Sequence, residues 1–126
     1  MKTLLAAGIL LLIGVVGCSN DDSTSVSVDQ TLRAPTNVAV TRIGLTSVRV
    51  NWTDNNETEE GYIVERQAGS GQFAQQVFLA SDATSAVDSV GLVANTTYGY
   101  RVRAIRYSER GEYSPVVTIR LALPYP

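Results

Sequence analysis

From Pro35 onward, apolar and polar residues alternate with a period of two, and this pattern restricts the possible fold more than any other feature. In residues 48–53, for example, Val, Val and Trp alternate with Arg, Asn and Thr. Such alternation directs one face of a strand toward a core and the other toward water. Turn-forming residues separate the alternating runs, and none of the runs has sustained helical periodicity. The predicted strands are residues 36–42, 47–53, 61–67, 72–80, 84–90, 97–107 and 114–122.

Short strands at this spacing predict an all-β fold, a seven-stranded antiparallel sandwich. Cys18 is the single cysteine, so no disulfide can form within the chain and the core alone must stabilise it. Histidine is absent, which removes the commonest general base and the commonest metal ligand. We therefore expect no catalytic residue, no metal site and no cofactor.

Several motifs narrow the sandwich to one family. Pro35 opens the domain, Trp52 ends the second predicted strand, and residues 61–66 (Gly-Tyr-Ile-Val-Glu-Arg) begin the third. Leu92 follows a glycine, and residues 95–104 read Asn-Thr-Thr-Tyr-Gly-Tyr-Arg-Val-Arg-Ala. This combination resembles the fibronectin type III domains of bacterial proteins.

The resemblance extends over residues 35–123 and implies an immunoglobulin-like sandwich. Trp52 is expected to fill the gap between the two sheets. Leu92 and Tyr98 resemble a tyrosine corner, in which the hydroxyl bonds a backbone group just upstream. Arg66 stands where an aromatic residue is frequent in the family, so we expect a thinner core at that edge. The expected core residues are Trp52, Tyr62, Leu92 and Tyr98.

The chain begins with Lys2, an apolar run from Leu4 to Val16, and then Gly17-Cys18. The apolar run is too short to cross a bilayer core, which needs about 20 residues, so it is typical of a signal segment that is removed. The end of the run resembles the lipobox of bacterial lipoproteins and implies lipid attachment at Cys18. An ordinary secretory signal with a chance cysteine is the alternative.

The expected domain organisation follows from this reading. Residues 1–17 form the signal peptide, residues 18–34 the lipidated cysteine and a flexible, Ser-rich tether, and residues 124–126 a short tail. Asp21 and Asp22 resemble an acidic surface-export signal, whereas Ser19 resembles the default pattern for outer-membrane delivery. We expect a lipid-anchored protein of a bacterial cell envelope, in the outer membrane or at the cell surface.

Charge limits the partners of the chain. After residue 17, 9 Arg oppose 12 Asp and Glu, a net charge of about −3 without any positive block. This balance argues against nucleic acid as a partner. The membrane, through the lipid anchor, and an unidentified protein or glycan ligand are the expected partners.

The loop between the last two predicted strands contains candidate binding residues. Tyr107, Arg110 and Tyr113 are of the types enriched at binding hot spots, and loops on a rigid sandwich are common recognition surfaces. In the alternative, Tyr113 covers the end of the sheet and Tyr107 lies flat on it. Residues 110–112 (Arg-Gly-Glu) differ from the integrin-binding Arg-Gly-Asp in the length of the acidic side chain, and we do not expect them to support adhesion.

Acidic residues crowd the loop after Trp52. Asp54, Glu57, Glu59 and Glu60 could converge on calcium, but the run lacks the glycine of an EF-hand loop. We favour a solvated turn in which Asp54 or Asn55 bonds local backbone. On the third strand, Glu65 can oppose Arg101 or Arg103 and stabilise the sheet.

The leading hypothesis is a lipid-anchored module of the cell envelope that binds a ligand or acts as a spacer, without catalysis. The alternatives are a periplasm-facing structural accessory of an envelope complex and, least favoured, an enzyme. The fold does not decide among them, because one sandwich hosts many functions.

Overall fold

The computed structural model describes residues 29–123 as two antiparallel β-sheets, which confirms the predicted all-β sandwich. The strands are β1 (Thr36–Gly44), β2 (Ser47–Thr53), β3 (Gly61–Ala68), β4 (Ala74–Ala80), β5 (Ser85–Asp88), β6 (Thr97–Arg106), β7 (Glu109–Arg110) and β8 (Val117–Arg120). The predicted signal segment, Cys18, most of the tether and the tail (residues 1–28 and 124–126) lie outside the described residues. Within residues 29–123, no helix is long and apolar enough to span a membrane.

One sheet has the order β1-β2-β5, and the other has the order β4-β3-β6-β7, with β8 also paired to β6. The last strand is predicted at residues 114–122, but the observed strand β8 is shorter. The hairpin strand β7 precedes it. The backbone between β7 and β8 still bonds to β6, since Gly111 N donates to Ala104 O and Ser114 N to Val102 O. Pro115 has no N–H to donate, so a regular ladder resumes only at Val117.

The core lies where the two sheets face each other. In β2 the buried residues are Val48, Val50 and Trp52, with more exposed residues between them, as the alternation predicts. The Trp52 ring packs on the Tyr62 ring across the sheets, with centroids 5.6 Å apart. The expected core residues Trp52, Tyr62, Leu92 and Tyr98 are all buried.

Strand β3 departs from the predicted alternation because it is buried on both faces. By the alternation, Ile63 and Glu65 belong to the face opposite to the buried Tyr62 and Val64, yet they are only 5% and 8% exposed. Neighbouring side chains cover this outer face: Arg101 Nη2 lies 2.6 Å from Glu65 Oε2, and Tyr113 donates its hydroxyl to Glu65 Oε1. The predicted cross-strand ion pair is present, and Arg103 joins it at 3.7 Å.

A buried polar network links the two sheets at the position of Arg66. Arg66 Nη1 lies 2.7 Å from Asp88 Oδ2 on β5, and Tyr100 donates its hydroxyl to the same carboxylate oxygen at 2.9 Å. Arg66 is therefore an inter-sheet connection, where the sequence led us to expect a thin edge of the core. Removing one partner would leave a buried group without its hydrogen bond, a loss that typically costs several kcal/mol for a charge.

The tyrosine corner forms as the resemblance implies. Val93 N, five residues upstream, donates to the Tyr98 hydroxyl at 2.8 Å, and Leu92 packs into the core beside it. Gly91 has a φ of 70°, a left-handed conformation that favours glycine at this turn.

Residues 29–34, the part of the predicted tether next to the domain, pack against the sandwich. Leu32 is 7% exposed and belongs to the core, and Arg33 N donates to Asn56 Oδ1 at 2.7 Å. The tether prediction is therefore wrong for residues 29–34. One leucine in a polar segment gave no periodic signal, and its burial site is formed by residues distant in sequence.

We expect Trp52→Ala to lower the free energy of unfolding by about 3–5 kcal/mol, because it deletes a buried aromatic and leaves a cavity between the sheets. Urea denaturation followed by far-UV circular dichroism measures this loss. Trp52→Phe, which keeps an aromatic body, should cost clearly less. A loss below about 1 kcal/mol for Trp52→Ala would contradict the assigned role of Trp52.

We also expect the domain to lose stability in alkali. Burial raises the pKa of Tyr62 and of Tyr100 above the ordinary 10.0, since desolvation disfavours the phenolate. Above pH 10 the unfolded chain then releases protons that the folded state retains, so this contribution is fully present below pH 10 and falls as the pH rises. Urea denaturation between about pH 8 and 12 should show the fall. Tyr100→Phe should flatten it, whereas the exposed Tyr107→Phe should not. A flat wild-type profile would contradict the argument.

Candidate functional site

Three loops and residues 29–34 meet at one end of the sandwich, which we call the loop end. The loops are residues 54–60, residues 81–84 and the β6–β7 turn. Trp52 N donates to Thr84 O, and Glu60 N donates to Ile105 O. The loop end is therefore tied to the sheets by backbone bonds and is built on a rigid support.

The β6–β7 hairpin presents Tyr107 at its tip. Arg106 pairs with Glu109, so Tyr107 and Ser108 form a two-residue turn. Tyr107 has a φ of 50° and an exposed fraction of 80%, and its backbone N donates to Glu60 Oε2 at 2.6 Å. The backbone of Tyr107 is thus held in place while its ring lies in solvent. The alternative expectation that Tyr107 lies flat on the sheet is wrong.

Arg110 lies beside this turn and is exposed. Its Nη1 donates to Tyr107 O at 3.2 Å and to Glu109 O at 3.1 Å, which holds the guanidinium along the hairpin. Arg110 also lines a surface depression of about 600 Å³ between the hairpin and residues 30–32. The structure thus brings Tyr107 and Arg110 together.

Tyr113 lies in the segment between β7 and β8 and packs on the outer face of the sheet that contains β3 and β6. Its hydroxyl donates to Glu65 Oε1 at 2.8 Å, and Arg101 and Arg103 lie over its ring, 3.6 and 4.4 Å from the centroid. Desolvation and the bond to Glu65 raise the pKa of Tyr113. Tyr113 therefore contacts the outer face of the sheet. This differs from the alternative expectation, in which Tyr113 covers the end of the sheet.

Gly111 explains why residues 110–112 do not form a protruding loop. Its N donates to Ala104 O, and a Cβ at this position would lie 3.0 Å from the Leu32 Cβ. The tripeptide is therefore packed against the N-terminal segment, and the protruding tip of the hairpin is Tyr107.

Carboxylates converge between two loops of this end. One carboxylate oxygen from each of Asp54, Glu59 and Asp82 lies within 4.8 Å of the others. Asp54 Oδ1 accepts the Asn56 N–H, which forms the predicted local turn, and it also accepts the Tyr62 hydroxyl. Among the described residues, these three are the acidic group able to hold a metal ion.

The members of this cluster differ from the acidic residues that the sequence places in the loop after Trp52. Glu57 is exposed, and Glu60 bonds the Tyr107 backbone, so neither joins the cluster. Asp82, 23 residues beyond Glu59, takes part instead, and its N donates to Glu59 Oε1 at 2.9 Å. Sequence reasoning missed Asp82 because its only local signal was a turn-forming Ser-Asp pair.

Comparison with known proteins agrees with this architecture. The model of the fibronectin type III domain family matches residues 33–120. The E3 ubiquitin-protein ligase TRIM9 of Drosophila melanogaster is 35% identical over 77 residues, which is 60% of this chain and 10% of that protein. The chain thus spans about a tenth of the length of this curated relative.

Solved structures show the same fold at low sequence identity. The FN1-FN3 domains of chicken CNTN1 superpose with a TM-score of 0.64 at 24% identity, covering 69% of this chain and 31% of that chain. The third fibronectin III domain of the human KIAA0343 protein has a TM-score of 0.62 at 18% identity, covering 77% of this chain and 88% of that chain. With the family model matching well over half of its residues, the chain belongs to the fibronectin type III domain family.

Proposed function

We propose that this chain is a lipid-anchored module of a bacterial cell envelope, which binds a protein or glycan partner and performs no catalysis. Fibronectin type III domains are binding or spacing modules typical of adhesion proteins, and they are generally non-catalytic. The proposal adds an anchor, a location and a binding surface to this family property.

The anchor is supported by the sequence from Lys2 to Cys18. A lipoprotein carries two or three acyl chains, and each buried methylene contributes about 0.8 kcal/mol to membrane attachment. Several chains together hold a domain of this size on the membrane durably, whereas one chain would exchange.

The exposed ring of Tyr107 is the observation that carries the binding role. It is 80% exposed at the tip of a hairpin whose backbone is fixed by Glu60, and Arg110 lies beside it. Tyrosine and arginine are enriched at hot spots because they offer a large contact area together with hydrogen-bonding groups. A fixed backbone also lowers the entropic cost of binding. Tyr113 is left out of the binding surface, since its ring and hydroxyl are engaged on the sheet.

A periplasm-facing accessory that docks on a partner in the same membrane is the second candidate, and the position of the loop end is compatible with it. Residues 29–34 pack at the same end as Tyr107. Ten residues (19–28) separate them from Cys18, and ten residues span at most about 35 Å. An anchor at Cys18 would therefore keep the loop end near the membrane, where a partner in the same membrane could be reached. Labelling of intact and permeabilised cells distinguishes this orientation from surface display.

For the anchor, we expect Cys18→Ser to abolish lipid attachment, because serine lacks the thiol that receives the lipid. The variant should accumulate as an uncut precursor or leave the membrane fraction for the aqueous phase of a detergent phase separation. Labelling with a radioactive fatty acid measures the modification directly, and Ser19→Ala serves as the neighbouring control. A Cys18→Ser protein that is still labelled and retained with the membrane would contradict the proposal.

For the binding surface, we expect the double variant Tyr107→Ala and Arg110→Ala to weaken partner binding by at least about 2 kcal/mol, a roughly 30-fold loss. Its melting temperature should stay close to that of the parent, because both side chains are exposed. Partners cross-linked and captured from detergent-solubilised envelope provide the binding assay.

Leu45→Ala is the matched control for the double variant. Leu45 is 65% exposed and lies in the β1–β2 turn, at the end of the sandwich opposite to the loop after β2. Its replacement should leave binding unchanged. Equal binding by the double variant and the parent would contradict the role of Tyr107. A loss of binding with Leu45→Ala alone would show that the binding surface lies at the opposite end of the sandwich.

A further inference from the structure

The carboxylates of Asp54, Glu59 and Asp82 form a cluster whose spacing suits one cation. Their nearest oxygens lie within 4.8 Å of one another. Two oxygens bound to the same Ca²⁺ ion, each at about 2.4 Å, can be no more than about 5 Å apart. The two loops therefore already place carboxylate oxygens at separations that a single calcium ion could bridge.

Glu59 supplies an independent indication of a ligand. The residue is only 7% exposed, and its Oε2 atom has no hydrogen-bond partner among the described residues. Its other oxygen, Oε1, accepts the Asp82 N–H, so the carboxylate is directed at the residue across the cluster. A buried carboxylate oxygen without a partner is costly, and coordination of a cation would satisfy it.

The charge of the cluster is not compensated by arginine. The ion pairs found within residues 29–123 involve Asp29, Glu65, Asp88 and Glu109, and none of them includes a member of the cluster. Like charges in such proximity repel one another strongly when one of them is buried. The carboxylates of the sandwich that are comparably buried, Glu65 and Asp88, both have an arginine partner, and the cluster lacks one.

We propose that Asp54, Glu59 and Asp82 bind a calcium ion that joins the loop of residues 54–60 to the loop of residues 81–84. Calcium suits the donors better than magnesium, because it accepts irregular oxygen coordination, whereas magnesium demands a near-ideal octahedron at shorter distances. Asp82 is exposed, so solvent can complete the coordination. A partly open site of this kind is expected to bind in the range of extracellular modules, with a Kd between about 0.1 and 1 mM.

Trp52 is the natural reporter for this site. It is the single tryptophan of the chain, and its N donates to Thr84 O, two residues beyond Asp82. Its ring packs on Tyr62, whose hydroxyl donates to Asp54. A change in either loop therefore reaches the environment of the indole. The inference does not depend on the anchor or on Tyr107, because the readouts are metal binding and stability.

The test is a titration of the purified full chain, treated with a chelator, with CaCl₂, MgCl₂ or NaCl at matched ionic strength. We expect CaCl₂ alone to give a saturable change in Trp52 fluorescence. At about ten times the Kd, it should raise the melting temperature by roughly 5 to 10 °C. No saturable response to calcium, or an equal response to magnesium at the same concentration, would overturn the proposal.

Two conservative variants locate the site. Glu59→Gln keeps an acceptor for the Asp82 N–H, and Asp82→Asn keeps a residue type that tolerates the φ of 60° found at this position. Each should weaken calcium binding at least tenfold. In the absence of calcium, each should melt at or above the temperature of the parent, because a repelling charge is removed. Asp82 is exposed, so Asp82→Asn remains decisive if Glu59→Gln does not fold.

Glu57→Gln is the matched control, since it removes the same charge from an exposed position in the same loop. It should keep the calcium response of the parent. Calcium binding that survives both Glu59→Gln and Asp82→Asn would overturn the assignment, as would a loss of binding in Glu57→Gln equal to theirs.

Discussion

The side chain of Tyr62 joins the core to the loop end, and both the loop of residues 54–60 and residues 29–34 are held through it. Its ring is fully buried against Trp52 of the opposite sheet, while its hydroxyl donates to Asp54. Asn56 Nδ2 donates to the same hydroxyl and to Arg33 O, so the segment of residues 29–34 is attached through this tyrosine as well. One buried side chain therefore fixes the loop of residues 54–60 and the segment of residues 29–34 relative to the core.

A second connection between the two sheets is ionic, and it lies within the core. Arg66 and Tyr100 both bond Asp88, which is 9% exposed. An isolated ion pair at such a site is weak evidence for stability, because desolvation offsets much of the attraction. The effect of this ion pair on geometry is clearer. The Asp88 carboxylate keeps its bonds to Arg66 and Tyr100 only when β5 lies opposite β3 and β6 in one register. The arginine therefore helps to specify how the sheets face each other.

The sequence predicted the fold well because strands are encoded locally, by alternation and by turn residues. The bounds of β2 agree with the prediction residue for residue, and the tyrosine corner of Tyr98 forms as the family resemblance implied. The failures concern contacts between segments distant in sequence. Leu32 packs beside Gly111, and Asp82 meets Glu59. Tyr113, which also covers Glu65, comes from a loop distant in sequence. No local pattern marks such meetings, so the carboxylate cluster could not be assembled from the acidic run alone.

The turn at Tyr107 has a strained backbone that contacts of its own ring do not stabilise. The first central residue of a two-residue hairpin turn commonly has positive φ, and glycine or asparagine is favoured there. Tyr107 occupies it with a φ of 50°, a conformation that costs a bulky residue on the order of 1 kcal/mol or more. Its ring is exposed, so burial of that ring within this domain does not offset the cost. The strained backbone is maintained instead by Glu60 and by the β6–β7 pairing. In the proposed function, contact of this ring with the partner would offset that cost.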